Sequence, residues 1–466
     1  MLRARPILHD RSRMRLSLSP KVGIALAVTL AVIHLGLALW FASFTPYRTS
    51  GRILSSGGAP AIDIGAPDER QHVNYVIGLL AGDGFPVLNP KDKHLGEHYQ
   101  SHQPPLYYLL EAGWAKAAGV SDLENQDAGL KLRALNAIIG AAGVFAVFLA
   151  GWWGFARAEI GVIAAAFAAL LPMNVALSGA VSNDPLLFLL CSLAVGMMGL
   201  AVREGWTVKR SVWIGVLIGL ALLTKTTALS LGLAAIVAIA VSKPGKAKPV
   251  WALALVVPFV IYAPWMIRNF QLYGDPFAIS AFNKAFVMSP KPDPFIQAYG
   301  MFGYAINWVG WWTARSFLGA FGYMDIFLNE TGLPAGDAHN TLYRVFLALS
   351  VLVFIGWLAS WKGSGEDDDV KDRNIRIVYT AFTVVVLLLF ARFNLQYFQA
   401  QARYVFPAIA PIAVAYAQGG VQLAKGKWLP VLAAFILFFG GVTVYAGLTI
   451  PDQFAKRSAG PAAPEP

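Results

Sequence analysis

Apolar stretches close to the thickness of a bilayer core alternate along this chain with short polar segments. A hydrocarbon core takes roughly 20 apolar residues per helix. About eleven stretches approach that length: 22–44, 133–155, 159–177, 184–202, 211–224, 227–242, 249–267, 342–360, 376–391, 404–420 and 428–449. The pattern predicts an all-α polytopic membrane protein with about eleven transmembrane helices. The two shortest stretches flank Lys225 and read either as two helices or as one broken helix. Two long segments, about 45–132 and 268–341, interrupt the alternation.

The composition agrees, since a chain 57% hydrophobic and 14% charged does not make a water-facing surface. A net charge of +11 raises the question of nucleic acid. The basic residues sit in short loops rather than along one face, which points to membrane lipids and no nucleic acid. Residues 1–21 carry Arg3, Arg5, Arg11, Arg13, Arg15 and Lys21 ahead of an apolar run too long for a signal peptide. They read as a cytoplasmic N-terminus before a retained first helix. Alternate loops then hold Arg157; Arg203, Lys209 and Arg210; Lys243, Lys246 and Lys248; Lys362, Lys371, Arg373 and Arg376; Lys425 and Lys427. All fall on the cytoplasmic side, so the two long loops fall outside. Residues 22–449 form one membrane-embedded domain, and 450–466, rich in Ala and Pro, an external disordered tail. The acidic run 366–369 reads as a solvated linker. Cys191 is the single cysteine, so no intramolecular disulfide forms. No phosphate-binding loop and no dinucleotide fingerprint is present.

Chemistry concentrates in the first long loop. Val73, Val76, Ile77 and Leu80 share one helical face and Asp68, His72 and Tyr75 another. This predicts an amphipathic juxtamembrane helix opened by Pro67 and ended near Gly82 and Gly84. Asp68 fits helix-end stabilisation as well as catalysis, and so does Asp184, which precedes Pro185. His94, His98 and His102 recur every four residues, which suits a divalent metal ion on one helical face, but Gly96 and the paired prolines favour ordinary loop hydrogen bonding. Arg133, Lys225, Arg268, Arg392 and Arg403 fall at outer ends of spans, where few cations belong. A lipid-linked phosphate at that surface would reward them. Snorkelling to headgroups fits Arg133 and Arg392 equally. Trp308, Trp311, Trp312, Phe317, Phe321 and Tyr323 read as an interfacial belt or a stacking surface. Arg315 and Asp325 are open acceptor contacts.

P-D-E-R-Q-H at 67–72 and H-Q-P-P-L-Y-Y-L-L at 102–110 resemble the first periplasmic loop of the C-type glycosyltransferases, the superfamily of protein O-mannosyltransferases and the lipid A aminoarabinose transferase. R-A-L-N from Arg133, S-N-D-P-L-L at 182–187, G-L-A-L-L-T-K ending at Lys225, P-W-M-I-R-N at 264–269 and Q-A-R-Y-V-F-P at 401–407 follow in the same order. The resemblance implies an inverting transfer from a polyprenyl-phosphate sugar donor to a lipid, protein or polysaccharide acceptor. It places this at the outer face of a bacterial cytoplasmic membrane. In that reading Asp68 is the general base, and Glu69 and Asp184 orient the acceptor or a cation. Lys225, Arg268 and Arg403 with Tyr404 hold the donor phosphate, while His72, His102, Gln103 and Tyr107 contact acceptor or sugar. The aminoarabinose transferase pattern has a lysine before the paired prolines, where this chain has Gln103. A flippase of lipid-linked sugars and a polysaccharide polymerase or ligase are the rival functions; a flippase would carry internal repeats or broken helices at the midplane.

Overall fold

The computed structural model describes residues 18–53, 58–243, 249–287, 289–328, 340–361 and 367–458, with the side chains of 367–369 left out. The arginines before residue 18, Lys246, Lys248, Lys362, the side chains of the acidic run and the last eight residues lie outside that set. Helices make up nearly all of it. Each of the eleven apolar stretches has a helix at its place, with two small antiparallel hairpins, Gly51–Ile53 with Ala59–Ala61 and Ala320–Phe321 with Ile326–Phe327.

Among the described residues seven helices are long and apolar enough to cross a membrane: Pro20–Phe44, Ala128–Phe155, Asp184–Glu204, Val250–Tyr273, Thr341–Ala359, Val370–Asn394 and Trp428–Ser458. An eighth is bent by 67° between Ala158–Leu170 and Pro172–Ser178. Pro172 opens the second half, where its missing N–H breaks the ladder. The remaining expected spans are shorter helices: Val208–Leu222, Leu229–Ser242 and Ile409–Leu423. Lys225 stands at the gap between the first two of these, so that region is a broken pair.

Close backbone approach holds the centre together. A Cβ on Gly151 would meet the Gly161 Cα at 2.7 Å, and one on Gly419 would meet the Val353 carbonyl oxygen at 2.1 Å. Small residues at helix crossings provide packing in place of the hydrophobic effect, which is weak between helices in lipid. The outer surface stays apolar, with Val260 68% and Leu388 63% exposed, a surface that needs lipid against it.

The two ends of the bundle differ. At one end Arg203 pairs with Asp372, donates through Nε to the Gly154 carbonyl at 2.6 Å, and Arg157 pairs with Glu159 at 2.9 Å. At the other end lie Glu69, Arg133, Asp184 and Lys225. Asp184 and Arg203 lie near opposite ends of one helix, about 28 Å apart at the α-helical rise.

The C-terminal region corrects an expectation. Residues up to Ser458 are helical rather than a loose tail, because Arg457 is buried and gives Nε to Asp325 Oδ2 at 2.9 Å and Nη2 to the Asp325 carbonyl at 2.9 Å. Asp325 is therefore a structural tie to the last helix rather than an acceptor contact.

Candidate active site

The helix predicted in the first loop runs Glu69–Ala81 and ends on Gly82 in the left-handed region. Asp68 precedes it with φ 62, also left-handed, and its side chain caps no helical N–H. Aspartate tolerates this conformation better than most residues, yet it remains uncommon. The backbone turn aims the carboxylate away from the helix end. Capping therefore does not account for Asp68. Asp184 gives the same result: it is the first residue of Asp184–Glu204, and neither it nor Asn183 makes a side-chain cap.

Both carboxylates instead face a cavity of about 410 Å³. Arg403 gives Nη2 to Asp68 Oδ2 at 2.6 Å, and Lys225 gives Nζ to Asp184 Oδ1 at 2.7 Å. Arg403 Nη1 lies 3.9 Å from Asp184 Oδ2, which links the two anions and two cations into one neutral cluster. Residues 68, 184, 225 and 403 thus converge from four separate parts of the sequence. Buried ion pairs pay heavily in desolvation, and replacing such pairs with apolar residues is often stabilising, so stability alone explains this cluster poorly.

Tyr99 donates its hydroxyl to the other Asp68 oxygen, Oδ1. Burial disfavours the Asp68 charge, but the Arg403 guanidinium and the Tyr99 hydroxyl outweigh it and hold the carboxyl below the usual carboxylate range. Burial and the Asp68 charge push the Tyr99 hydroxyl well above its ordinary value, so it stays a donor. His102 gives Nδ1–H to the Tyr99 carbonyl at 2.8 Å, and burial lowers its pKa to about 4. Burial brings His72 to about 4 as well, although Asp68 opposes the shift. Both imidazoles are neutral at neutral pH.

The other wall of the cavity is apolar. Val386, Leu389, Phe390 and Phe393 present one helical face, opposite Phe282 and Phe286. One end of the space is thus ionic and the other suits a hydrocarbon chain.

Most of the sequence-derived site residues meet here. Asp68, His72, His102, Gln103, Asp184, Lys225, Arg403 and Tyr404 all line the cavity. Glu69 does not, and its expected role is corrected. It binds Arg133 through both oxygens, at 2.8 and 2.6 Å, and accepts the Val181 N–H at 2.8 Å. Arg133 also donates to the carbonyls of Ala42, Thr45 and Pro46. The pair is 1%/1% exposed, so snorkelling does not describe Arg133. Tyr107 points the other way, donating to Glu111 at 3.2 Å. Arg268 lies over the Trp265 ring at 4.4 Å and donates to the Phe85 and Pro86 carbonyls, away from the cavity. His94, His98 and His102 do not converge: His98 pairs with Asp92 at 3.0 Å, and among the described residues no three His, Cys, Asp or Glu side chains group as metal ligands. Each carboxylate in the cavity is matched to a side-chain cation, a donor set that does not fit a resident divalent ion.

Of the aromatic set, Tyr323 lines the cavity, while Trp308 packs on Phe295 and Phe398, and Trp312 on Phe327. Tyr99 and Gln399, which also line the cavity, had no sequence signal of their own. They sit in irregular segments where spacing assigns no face.

Glu111 is buried and its carboxyl is pushed up to about 8 by that burial, against the Tyr107 hydrogen bond. Its folded pKa lies above the reference value of 4.5, so its contribution to stability is complete below about pH 4.5 and is lost as the pH rises through about 8. Glu111→Gln should raise the thermal midpoint near about pH 9 and leave it unchanged near about pH 5. Melting curves in detergent at the two pH values check this.

The comparisons with known proteins agree with this architecture. Residues 65–413, most of the chain, match the family described as "Predicted membrane protein (DUF2142)". The chain belongs to this family. No curated protein matches the DUF2142 chain in sequence. Among solved structures it is similar to the oligosaccharyltransferase AglB of Archaeoglobus fulgidus, in complex with an inhibitory peptide and a dolichol-phosphate. The TM-score is 0.53 at 16% identity, covering 95% of this chain and 56% of that one. The DUF2142 chain therefore spans little more than half of that oligosaccharyltransferase. Weaker similarities reach ArnT from Cupriavidus metallidurans bound to undecaprenyl phosphate (TM-score 0.39, 17% identity, 96% and 82% covered) and the S. cerevisiae protein O-mannosyltransferase complex bound to the sugar donor (TM-score 0.40, 21% identity, 55% and 34% covered). The likeness to the oligosaccharyltransferase establishes the fold, that of the C-type glycosyltransferases.

Proposed function

We propose that this protein is a membrane glycosyltransferase that moves a sugar from a polyprenyl-phosphate donor to an acceptor hydroxyl, with inversion at the anomeric carbon. The observation that carries the reading is the cluster of Asp68, Arg403, Asp184 and Lys225 at the head of a cavity whose other wall is hydrocarbon. A lipid phosphate fits both halves. Its oxygens suit the guanidinium and ammonium, and its chain suits the Val386 to Phe393 face.

An entering phosphate competes with the carboxylates for Arg403 and Lys225. Asp68 then loses the partner that keeps it acidic and becomes a stronger base. It takes the proton from the acceptor hydroxyl as the oxygen bonds to the anomeric carbon. The carbon–oxygen bond to phosphate breaks, and the electron pair leaves on the phosphate, held by Arg403 and Lys225. Asp184 keeps Lys225 in place. Tyr99 fixes the Asp68 carboxylate and stays protonated throughout.

The basic loops at the opposite end of the bundle orient the site toward the outside of the cytoplasmic membrane by the positive-inside rule. The acceptor is a lipid, protein or polysaccharide. The archaeal oligosaccharyltransferase, with a dolichol-phosphate and a peptide bound, supports the pairing of a lipid-linked donor with a separate acceptor.

Lys225→Met should raise the KM for the donor by about 10- to 100-fold, because it removes a charged hydrogen bond to the phosphate, with a smaller effect on kcat. Steady-state transfer assays with a purified polyprenyl-phosphate sugar test this. An unchanged donor KM would remove Lys225 from the phosphate site.

A further inference from the structure

We propose that His72 is a neutral hydrogen-bond donor to the donor phosphate, with its proton fixed on Nε2 by the buried hydroxyl of Tyr108. The phosphate part of this assignment rests on the function proposed above; the tautomer does not.

Tyr108 is fully buried and its hydroxyl lies 2.8 Å from His72 Nδ1. Its ring stacks on Tyr75 at 3.7 Å with an interplanar angle of 2°, and Tyr75 donates its own hydroxyl to the Gln103 carbonyl at 3.4 Å. The Tyr108 hydroxyl is therefore held in place, with no other hydrogen-bond partner among the described residues. If Nδ1 carried the proton, the Tyr108 O–H would be buried without an acceptor, which is costly. Both groups are satisfied only if Tyr108 donates to Nδ1, and the ring proton then sits on Nε2.

Other histidines have the opposite arrangement. His34 gives Nδ1 to the Ala169 carbonyl at 2.9 Å, His102 gives it to the Tyr99 carbonyl at 2.8 Å, and His98 gives it to Asp92 at 3.0 Å. His72 faces a hydroxyl where these face an acceptor.

On the cavity side, the charged groups acting on the His72 ring are Asp68, Asp184, Lys225 and Arg403, and the Tyr107 ring meets it edge-on at 6.3 Å. The oxygens of Asp68 are taken by Tyr99 and Arg403. Asp184 accepts from Lys225 through Oδ1, and its Oδ2, 3.9 Å from Arg403, makes no hydrogen bond. Among the described residues the His72 ring is hydrogen-bonded through Nδ1 alone, which leaves the Nε2–H for a ligand oxygen. Beside Lys225 and Arg403, a phosphate gains a third donor without a third positive charge. Burial keeps the imidazole neutral, which preserves the charge balance of the cluster. Tyr108 acts through His72 and is a positioning residue.

The test is ¹⁵N solid-state NMR on histidine-labelled protein in lipid, with the His72 signals assigned as those lost in His72→Gln. The expected spectrum has a protonated Nε2 and unprotonated Nδ1 for His72 from about pH 5 to 8, against protonated Nδ1 for His34 and His102. Those two also report that the variants are folded. Tyr108→Phe should lose the single His72 tautomer. Adding farnesyl phosphate should shift the His72 Nε2 signal, and His72→Gln should weaken its binding by about tenfold. A protonated Nδ1 or an imidazolium at neutral pH would overturn the assignment. Binding of farnesyl phosphate with no response at His72 would overturn it while leaving the donor class intact. No binding to the unaltered protein would instead overturn the donor class, and the phosphate role of His72 with it.

Discussion

Asp68→Asn is expected to lower the transfer rate by about 10³-fold or more while the protein still folds and binds donor. A general base typically contributes about 10² to 10⁴ in rate, and an amide cannot take the proton. Asparagine keeps the shape of the side chain, so the Tyr99 contact survives. Arg403 keeps Gln401 Oε1 at 2.7 Å and the nearby Asp184. The loss should therefore appear in kcat, with the thermal midpoint little changed. The assay follows radiolabelled sugar from a polyprenyl-phosphate donor into product, with unfolding measured on the same preparation. Transfer near the unaltered rate would take the proton-abstracting role away from Asp68.

The second large effect concerns the strut behind it. Arg133→Ala should destabilise the protein by about 3–5 kcal/mol, because it leaves the Glu69 carboxylate buried without its counter-charge. The carbonyls of Ala42, Thr45 and Pro46 lose their donor at the same time. Since Glu69 opens the helix that follows Asp68, this loss should also disorder the turn that aims the Asp68 carboxylate into the cavity. Glu69→Gln separates support from chemistry: the amide oxygen still accepts from Arg133 or Val181, so transfer should fall by less than about tenfold, with a lowered thermal midpoint. A collapse of kcat in a folded Glu69→Gln protein, as large as that of Asp68→Asn, would return Glu69 to the reaction.

The apolar periodicity made the helical architecture legible, since an apolar run of bilayer length has few alternatives in lipid. The break at Lys225 was also visible, as a cation between two short runs. The sorting of neighbouring charged residues was not. Asp68 and Glu69 are adjacent in sequence, yet one turns into the cavity and the other into the core, because a left-handed turn at residue 68 separates them. No spacing rule signals a single positive φ at a non-glycine residue. Arg268 and Arg403 both lie at ends of apolar runs and look alike in sequence. Packing against Trp265 and two loop carbonyls takes Arg268 away from the site. Tyr99 escaped notice for a related reason, since its part in the site depends on how an irregular segment folds back over the helix after Asp68. Ala and Pro content alone predicts a loose tail from residue 450 and does not reveal the Arg457 to Asp325 tie beside a helix that runs to Ser458.

The account rests on a lipid phosphate sitting among these four charged side chains. The most direct measurement is a cryo-electron microscopy structure of the protein with a non-hydrolysable polyprenyl-phosphate sugar. The prediction is phosphate density within hydrogen-bonding distance of both Lys225 and Arg403, the chain along Val386 to Phe393, and the anomeric carbon on the side facing Asp68. Phosphate density at the Arg203 end of the bundle, or a cavity the analogue leaves unfilled while bound elsewhere, would contradict it.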